Sequence, residues 1–390
     1  MRERGPAVTA ATLQRTADDL AGRVPADLPP GTMPPPGVSL AVRTRRLADS
    51  AVAGYRVVRP ETRSPDGALP MTPGTAHDLA SVTKVLATTT CLIRLVSDGA
   101  LSLEDTVGRF IPSFAHGDKA DVSVRDLLRH RGGLWEWHPL YLAAGDREAA
   151  LRFAAEMPLR YRPNTGRHYS DLGFMLLGEI VAEAAGQALD DAVRTLVTEP
   201  LGLASTRYRH PAGPDVAASA CGDRAEMRMI DSGDPYPVPY RSGDFPHWRT
   251  GIVSGDVNDG NAFHALRGVS GHAGLFSTVP DLIRFATVLA EYADHDALWK
   301  PAVAEEFFAE GPDQGQSLGF RRYPFRLGAE RVHLLGHPGF VGCAVGFVPG
   351  AGIAVAMATN RLLTPGTPVP TEQLWRAVLA TTEDLLEEHR

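Results

Sequence analysis

Leu79-Ala80-Ser81-Val82-Thr83-Lys84-Val85-Leu86 is the stretch on which the reading of this chain turns. Ser81 and Lys84 stand three residues apart at what reads as a helix start. That spacing puts hydroxyl and ammonium on one face, within reach of each other. A serine hydroxyl attacks a carbonyl when a neighbour takes its proton. A lysine in a dry pocket can be that neighbour or assist one, because desolvation lowers its pKa. The chain has 17 serines but three lysines (Lys84, Lys119 and Lys300), so random placement gives roughly 0.13 Ser-x-x-Lys matches. The competing reading is a plain helix start, with Ser81 near the N-cap and Lys84 in solvent. The residues after Lys84 favour the first reading. Val85, Leu86, Leu92, Ile93, Leu95 and Val96 make a nearly all-round apolar helix up to Asp98-Gly99, and such a helix is central and buried.

The 390 residues suffice for one large domain or two ordinary ones. With 44% hydrophobic and 22% charged residues the composition is that of a soluble globular protein. A net charge of -7, with arginines scattered along the chain, leaves no basic footprint for nucleic acid. Cys91, Cys221 and Cys343 are far apart and form no Cys-x-x-Cys pair, which argues against a disulfide framework and a zinc ribbon. Cys91 reads as a small core residue. Met1-Arg2-Glu3-Arg4 leads into no apolar signal region, and no apolar run reaches the ~18 residues of a membrane helix. A cytoplasmic protein with no membrane partner is the expectation.

Working outward, residues 8–24 read as a short amphipathic helix and 25–36 as a proline-rich connector. Gly37 to Arg43 and Ala51 to Val58 read as a strand pair. A turn-rich stretch from Pro60 to Gly74 then leads to the Ser81 helix. Ser123 with Asp126 forms a capping signature for a further helix. Tyr169-Ser170-Asp171 opens an apolar helix from Leu172 to Ala185 that Gly186 ends. Another helix runs from Leu189 to Val197. The segment from Arg209 to Asn261 reads as a long loop, and a loop of that length builds or covers a site. Gly268 to Thr278 is rich in small residues, and the chain turns helical from Pro280. Arg331–Leu335, Gly342–Val348 and Gly352–Thr359 read as strands, and Thr371–Glu388 as a closing amphipathic helix. Strands at both ends with helices between them predict an α+β fold, an antiparallel sheet flanked by helices plus a helical lobe. Residues 1–36 are expected to form an N-terminal helix and linker, and 37–360 the catalytic domain. Within it 37–80 and 280–390 make the α/β lobe and about 85–270 the helical lobe, while 361–390 carry a helix packing on the sheet. The Ser81 helix falls where the lobes meet, a usual place for a pocket.

Ser81-x-x-Lys84, then Tyr169-Ser170-Asp171, then His337-Pro338-Gly339 before a strand pair resembles the serine β-lactamase and penicillin-binding-protein superfamily. The branch it is most like holds class C β-lactamases, D-alanyl-D-alanine carboxypeptidases, family VIII esterases and related acyltransferases. Asn258-Asp259-Gly260-Asn261-Ala262 with Gly268 to Phe276 resembles a subgroup of penicillin-binding-protein-like hydrolases. The resemblance spans about Gly37 to Asn360 and implies a β-lactamase/transpeptidase-like fold. It implies that Ser81 carries the acyl group, that Lys84 and Tyr169 share the acid-base work, and that the backbone N–H groups of Ser81 and Phe340 form an oxyanion hole. Asp171, His337, Gly339, His272 and Trp135 become candidate substrate-binding residues. No metal or organic cofactor is required.

Two departures matter. Asp171 stands where the family usually has Asn; an ionised carboxylate beside Lys84 holds the ammonium charged and shifts the base role to Tyr169. His337 stands where Lys is usual, titrates near neutrality and anchors a substrate carboxylate more weakly. Both departures count against β-lactam hydrolysis more than against acyl transfer. Taken alone, Tyr169 also reads as a helix-start aromatic packed between lobes, His337 as a loop histidine, and His272 as pointing into the site or satisfying backbone groups. The function expected is hydrolysis of a small ester or amide through a Ser81 acyl-enzyme. The alternatives are acyl transfer in a biosynthetic pathway and a non-catalytic ligand sensor. The intact Ser81, Lys84 and Tyr169 argue against the sensor. Composition leaves the oligomeric state open.

Overall fold

Strand Gly37–Arg43 shows how the sheet is made. Val38, Leu40 and Val42 enter one core while Ala41, between them, enters the other, the period-2 alternation of a strand covered on both faces. The computed structural model describes residues 9–59, 66–210, 213 and 215–389. Part of the expected turn-rich stretch from Pro60 to Gly74 thus lies outside the described residues.

The strands of the main sheet are β1 Gly37–Arg43, β2 Ala48–Val57, β3 Leu69–Pro70, β4 Arg321–Leu327, β5 Glu330–Pro338, β6 Ala344–Val348 and β7 Ile353–Thr359. Their order across the sheet is β4-β5-β6-β7-β1-β2-β3, with every pairing antiparallel. The start and end of the chain therefore meet inside the sheet, where Val38 registers with Thr359 and Arg43 with Ala354.

On one face, Val38, Leu40, Val42, Val355 and Met357 pack with Leu13 of helix Thr9–Gly22 and with Leu374, Trp375 and Val378 of helix Thr371–Glu388. On the other, Ala41, Ala354, Ala356 and Ala358 are small, which lets helix Val279–Ala290 lie close to β1, β6 and β7. The same core continues through Val85, Leu86 and Leu92 to Phe174 and Leu177. The Ser81 helix thus links the sheet to the helical part of the molecule, and this is the α+β architecture that the strand and helix pattern predicts.

Three elements differ from expectation. The Ser81 helix is not α-helical throughout: Lys84–Thr89 forms a π-helical segment before the α-helix Thr90–Asp98. Such wide turns recur at functional sites. The sheet gains an edge strand, β4, that alternation did not suggest. And the Arg209–Asn261 segment is not a structureless loop. It contains strands Ala218–Cys221 and Ile252–Ser254, paired with each other, and helix Arg224–Ser232.

Candidate active site

The candidate nucleophile, Ser81, follows a strained turn. Short strand His77–Asp78 pairs with Leu275–Ser277, and the chain then bends through Ala80, whose φ of 43° lies in the left-handed region that non-glycine residues avoid. Asp78 Oδ1 holds this bend by accepting the Ala80 N–H at 2.8 Å. Ser81 comes next, half-buried. Lys84 is 0% exposed, and its ammonium has three acceptors. Nζ lies 2.8 Å from Ser81 Oγ, 2.7 Å from Asp171 Oδ1 and 3.1 Å from the carbonyl of His272. The contacts with Ser81 and His272 are hydrogen bonds, and that with Asp171 is an ion pair. Burial alone lowers the lysine's pKa, but Asp171 and then Tyr169 more than offset it, and the group is held above its ordinary value. Lys84 stays charged.

The acceptors arrive from two directions. Helix Asp171–Ala185 begins where Ser170 Oγ accepts the Gly173 N–H and donates to the carbonyl of Trp135, which aims Asp171 at the ammonium. The His272 carbonyl is delivered by a close backbone approach. A Cβ on Gly271 would stand 2.2 Å from the Phe174 carbonyl oxygen and 2.7 Å from Gly178 N, so only glycine permits this contact. Thr88, on the π-helical segment, ties down the same backbone by donating to the Gly271 carbonyl at 2.7 Å.

Tyr169 lies among cations and neutral imidazoles. Its ring centroid is 5.2 Å from Lys84 Nζ, 5.8 Å from Arg167 Cζ and 5.7 Å from Arg321 Cζ. His130 and His337 flank it at 4.6 and 5.8 Å between centroids. Burial, then repulsion from Arg167 and Lys84, drives the His130 pKa well below the usual value. Burial, then Arg321 and Lys84, does the same to His337. His130 Nδ1 accepts the Ser170 N–H at 3.0 Å, while His337 Nδ1 donates to the Pro338 carbonyl at 2.7 Å. The expectation that His337 titrates near neutrality is therefore corrected. It is uncharged there, and its imidazole cannot anchor an anion by charge.

Behind His337 the chain makes a tight turn against the Ser81 bend. A Cβ on Gly339 would meet the Leu79 carbonyl oxygen at 2.3 Å, so the backbone of Gly339 and Phe340 runs directly beside the Ser81 bend. Arg361 Nε donates to the Phe340 carbonyl at 2.8 Å and Thr371 Oγ1 to the Gly339 carbonyl at 3.2 Å, which fixes the turn from behind. Phe340 itself is 56% exposed.

Two other candidates are occupied elsewhere. His272 is 1% exposed, and its ring joins Ser270 Oγ at 2.7 Å to Asp259 Oδ1 at 3.0 Å. It has no free nitrogen for a substrate, so the reading in which it points into the site is set aside; its backbone carbonyl reaches Lys84 instead. Trp135 donates from Nε1 to the Pro158 carbonyl at 3.1 Å and is stacked by Arg160 at 4.8 Å. Sequence reasoning missed Arg167, Arg321, His130 and Tyr236. Tyr236 comes from the Arg209–Asn261 segment and is close enough to Asp171 and Tyr169 for burial, then their charges, to raise its pKa. A broad hollow lined by Ile111, Arg147, Glu179 and Gln187 lies elsewhere on the surface. Its Arg147 and Glu179 are paired with each other.

A serine, a buried lysine and a tyrosine converging at the junction of an antiparallel sheet and a helical lobe define a serine-hydrolase type of enzyme. Residues 35–380 match the Beta-lactamase family model, and the chain belongs to that family. It is 31% identical over 354 residues to the N-acetylmuramyl-L-alanine amidase of Bacillus subtilis (strain 168), covering 85% of this chain and 78% of that one. It is 30% identical over 371 residues to a putative D-alanyl-D-alanine carboxypeptidase of Escherichia coli O157:H7, covering 87% and 80%. Among solved structures, a penicillin-binding protein homolog from Caulobacter crescentus superposes with a TM-score of 0.69 at 20% identity over 99% of both chains. The D-amino acid amidase from Ochrobactrum anthropi SV3 superposes with a TM-score of 0.67 at 22% identity over 97% and 99%.

Proposed function

We propose that the protein is an amidase that also cleaves esters, working through an acyl-enzyme on Ser81. The observation that carries this reading is the buried Lys84 ammonium, shared between Ser81 Oγ, Asp171 and the His272 carbonyl. An amide is favoured as the natural bond because one relative alike over most of both chains is named an amidase.

Ser81 Oγ attacks the carbonyl as its proton passes to Tyr169, which acts here as a phenolate held beside the Lys84 ammonium. Lys84 remains an ammonium and stabilises negative charge growing on Oγ. The carbonyl oxygen becomes an oxyanion received by the N–H groups of Ser81 and Phe340, and each such donor is worth roughly 2.7–4 kcal/mol in the transition state. Tyr169 then returns the proton to the departing nitrogen, which therefore leaves on the Tyr169 side. Water repeats the sequence to release the acid.

An active-site-directed fluorophosphonate tests this. Intact protein mass should rise by one adduct that maps to Ser81, and Ser81→Ala should take up none. Adducts at other positions with Ser81 unmodified would sink the reading. Turnover of p-nitrophenyl acetate with and without added alcohols or amines separates hydrolysis from transfer: free acid alone, at an unaltered rate, supports hydrolysis.

A further inference from the structure

We infer that Asp78 is a positioning residue for Ser81 whose carboxylate works as a proton-sensitive clamp. Ionised, it ties the bend before Ser81 to the segment that steadies Lys84, and one added proton opens the tie. The inference rests on the Ser81 acyl-enzyme proposed above, and it names a regulation of that same site.

Asp78 is 3% exposed, and each of its oxygens accepts one main-chain N–H. Oδ1 takes that of Ala80 at 2.8 Å, and Oδ2 takes that of Asn258 at 2.6 Å. The first bond alone would be an ordinary turn, in which an aspartate accepts the N–H two residues on. The second reaches 180 residues along the chain. Next to Asn258, Asp259 is joined to the His272 ring at 3.0 Å, and the His272 carbonyl accepts from Lys84 Nζ at 3.1 Å. Two routes therefore leave Asp78, one through Ala80 to Ser81 and one through Asn258, Asp259 and His272 to Lys84. They meet again where Lys84 Nζ stands 2.8 Å from Ser81 Oγ. Arg249 braces the second route by donating to the carbonyls of Val257 and Asn258, at 2.7 and 2.8 Å.

The clamp needs a carboxylate. Ionised, the group only accepts, so it serves both N–H groups; protonated, it carries an O–H that faces one of them. One buried donor then loses its acceptor, and the left-handed turn at Ala80 is held less firmly. Burial raises the carboxyl to about 6 against the pull of the two N–H groups. Of the charges that face it, Asp259 raises it further and Arg249 lowers it. Asp223 is paired with Arg249, and Glu226 changes charge only near 8. His77, the preceding residue, is lowered by burial to about 4. Cys343, whose Sγ donates to the Asp78 carbonyl at 3.2 Å, is raised by burial and keeps its proton.

The test compares wild type with Asp78→Asn, which has the shape of the protonated acid and its surplus donor at every pH. Turnover of p-nitrophenyl acetate is followed from about pH 4.5 to 8.5. The ratio of kcat/KM, wild type over Asp78→Asn, should be about 10 or more at pH 8 and fall towards 1 at the acid end, with a midpoint near 6. Taking the ratio cancels titrations that the two proteins share, such as that of Tyr169. Thermal unfolding at both ends of the range checks that the fold is kept. A ratio that does not change with pH overturns the inference. Should Asp78→Asn fail to fold, wild type alone decides: its kcat/KM should carry an extra step of about tenfold centred near pH 6, and a profile without that step overturns the inference. If the fluorophosphonate labels Ser81 while the ratio stays constant, the clamp alone falls. If Ser81 is not labelled, the catalytic reading falls and this inference with it.

Discussion

Two groups of buried charge meet at His272, and they settle their imbalance in opposite ways. The group around Tyr169 has three cations, Lys84, Arg167 and Arg321, and two carboxylates, Asp171 and Glu372. The group on the other side of the histidine ring has four carboxyls, Asp78, Asp223, Glu226 and Asp259, and one arginine, Arg249, paired with Asp223. Protonation relieves the acidic surplus. Burial, then repulsion from Asp259, pushes Glu226 up to about 8, and burial raises Asp78 to about 6. Asp259, although buried, is held down to about 2 by His272. The basic surplus has no such outlet, because an arginine keeps its proton. Excess acid in a protein interior can be silenced by a proton, whereas excess arginine keeps its charge.

Removing the charge at the centre of the first group should have the largest effect. Lys84→Met leaves Asp171 without its partner, and breaking a buried pair in this way costs about 3–5 kcal/mol. It also removes a group from the proton network, and losing such a group typically lowers kcat/KM by roughly 10²–10⁴-fold. Urea unfolding and ester turnover measure both, and a stable, active Lys84→Met enzyme would contradict the arrangement.

Asp171→Asn sharpens the comparison by keeping the shape and deleting the charge. The carboxylate is what offsets burial at Lys84, so its loss lowers the lysine's pKa. The proposed chemistry needs the ammonium. The alkaline limb of kcat/KM should therefore move to lower pH, by about one unit or more. A limb that stays in place would show that Lys84 does not govern it.

The smallest effect is expected in the acidic group. Glu226 titrates near 4.5 when unfolded and about 8 when folded. Between those values the native state holds a proton that the unfolded chain has lost, so stability falls as pH rises through the window and levels off above it. Glu226→Gln mimics the protonated acid and should be more stable than wild type by roughly 1–3 kcal/mol at pH 8.5, with no gain near pH 4.5. Melting temperatures across that range decide it, and a constant difference would refute the assignment.

Much of this architecture is written in local pattern. The Ser123–Asp126 capping box and the left-handed Gly186 bound their helices where the sequence places them. The juxtaposition of Ser81 and Lys84 follows from helical spacing alone. β4 escaped notice because Pro324 interrupts it, and proline is tolerated there only because β4 is the edge of the sheet. The roles of the histidines were not legible for a different reason. His337 is neutral because it is buried and because Arg321, on the neighbouring strand, stands close to it. The ring of His272 is taken by Asp259. Such partners are set by tertiary approach, which no local window contains.

The position of β1 has a consequence for how the enzyme comes into being. This strand is made well before β7, yet Val38 pairs with Thr359 of that strand. On the ribosome, where domains fold as their last strands emerge, the sheet beside the serine bend stays open until β7 has been translated. Forms that lack β7 should therefore hold no ordered serine bend, since β1 has no partner on that side.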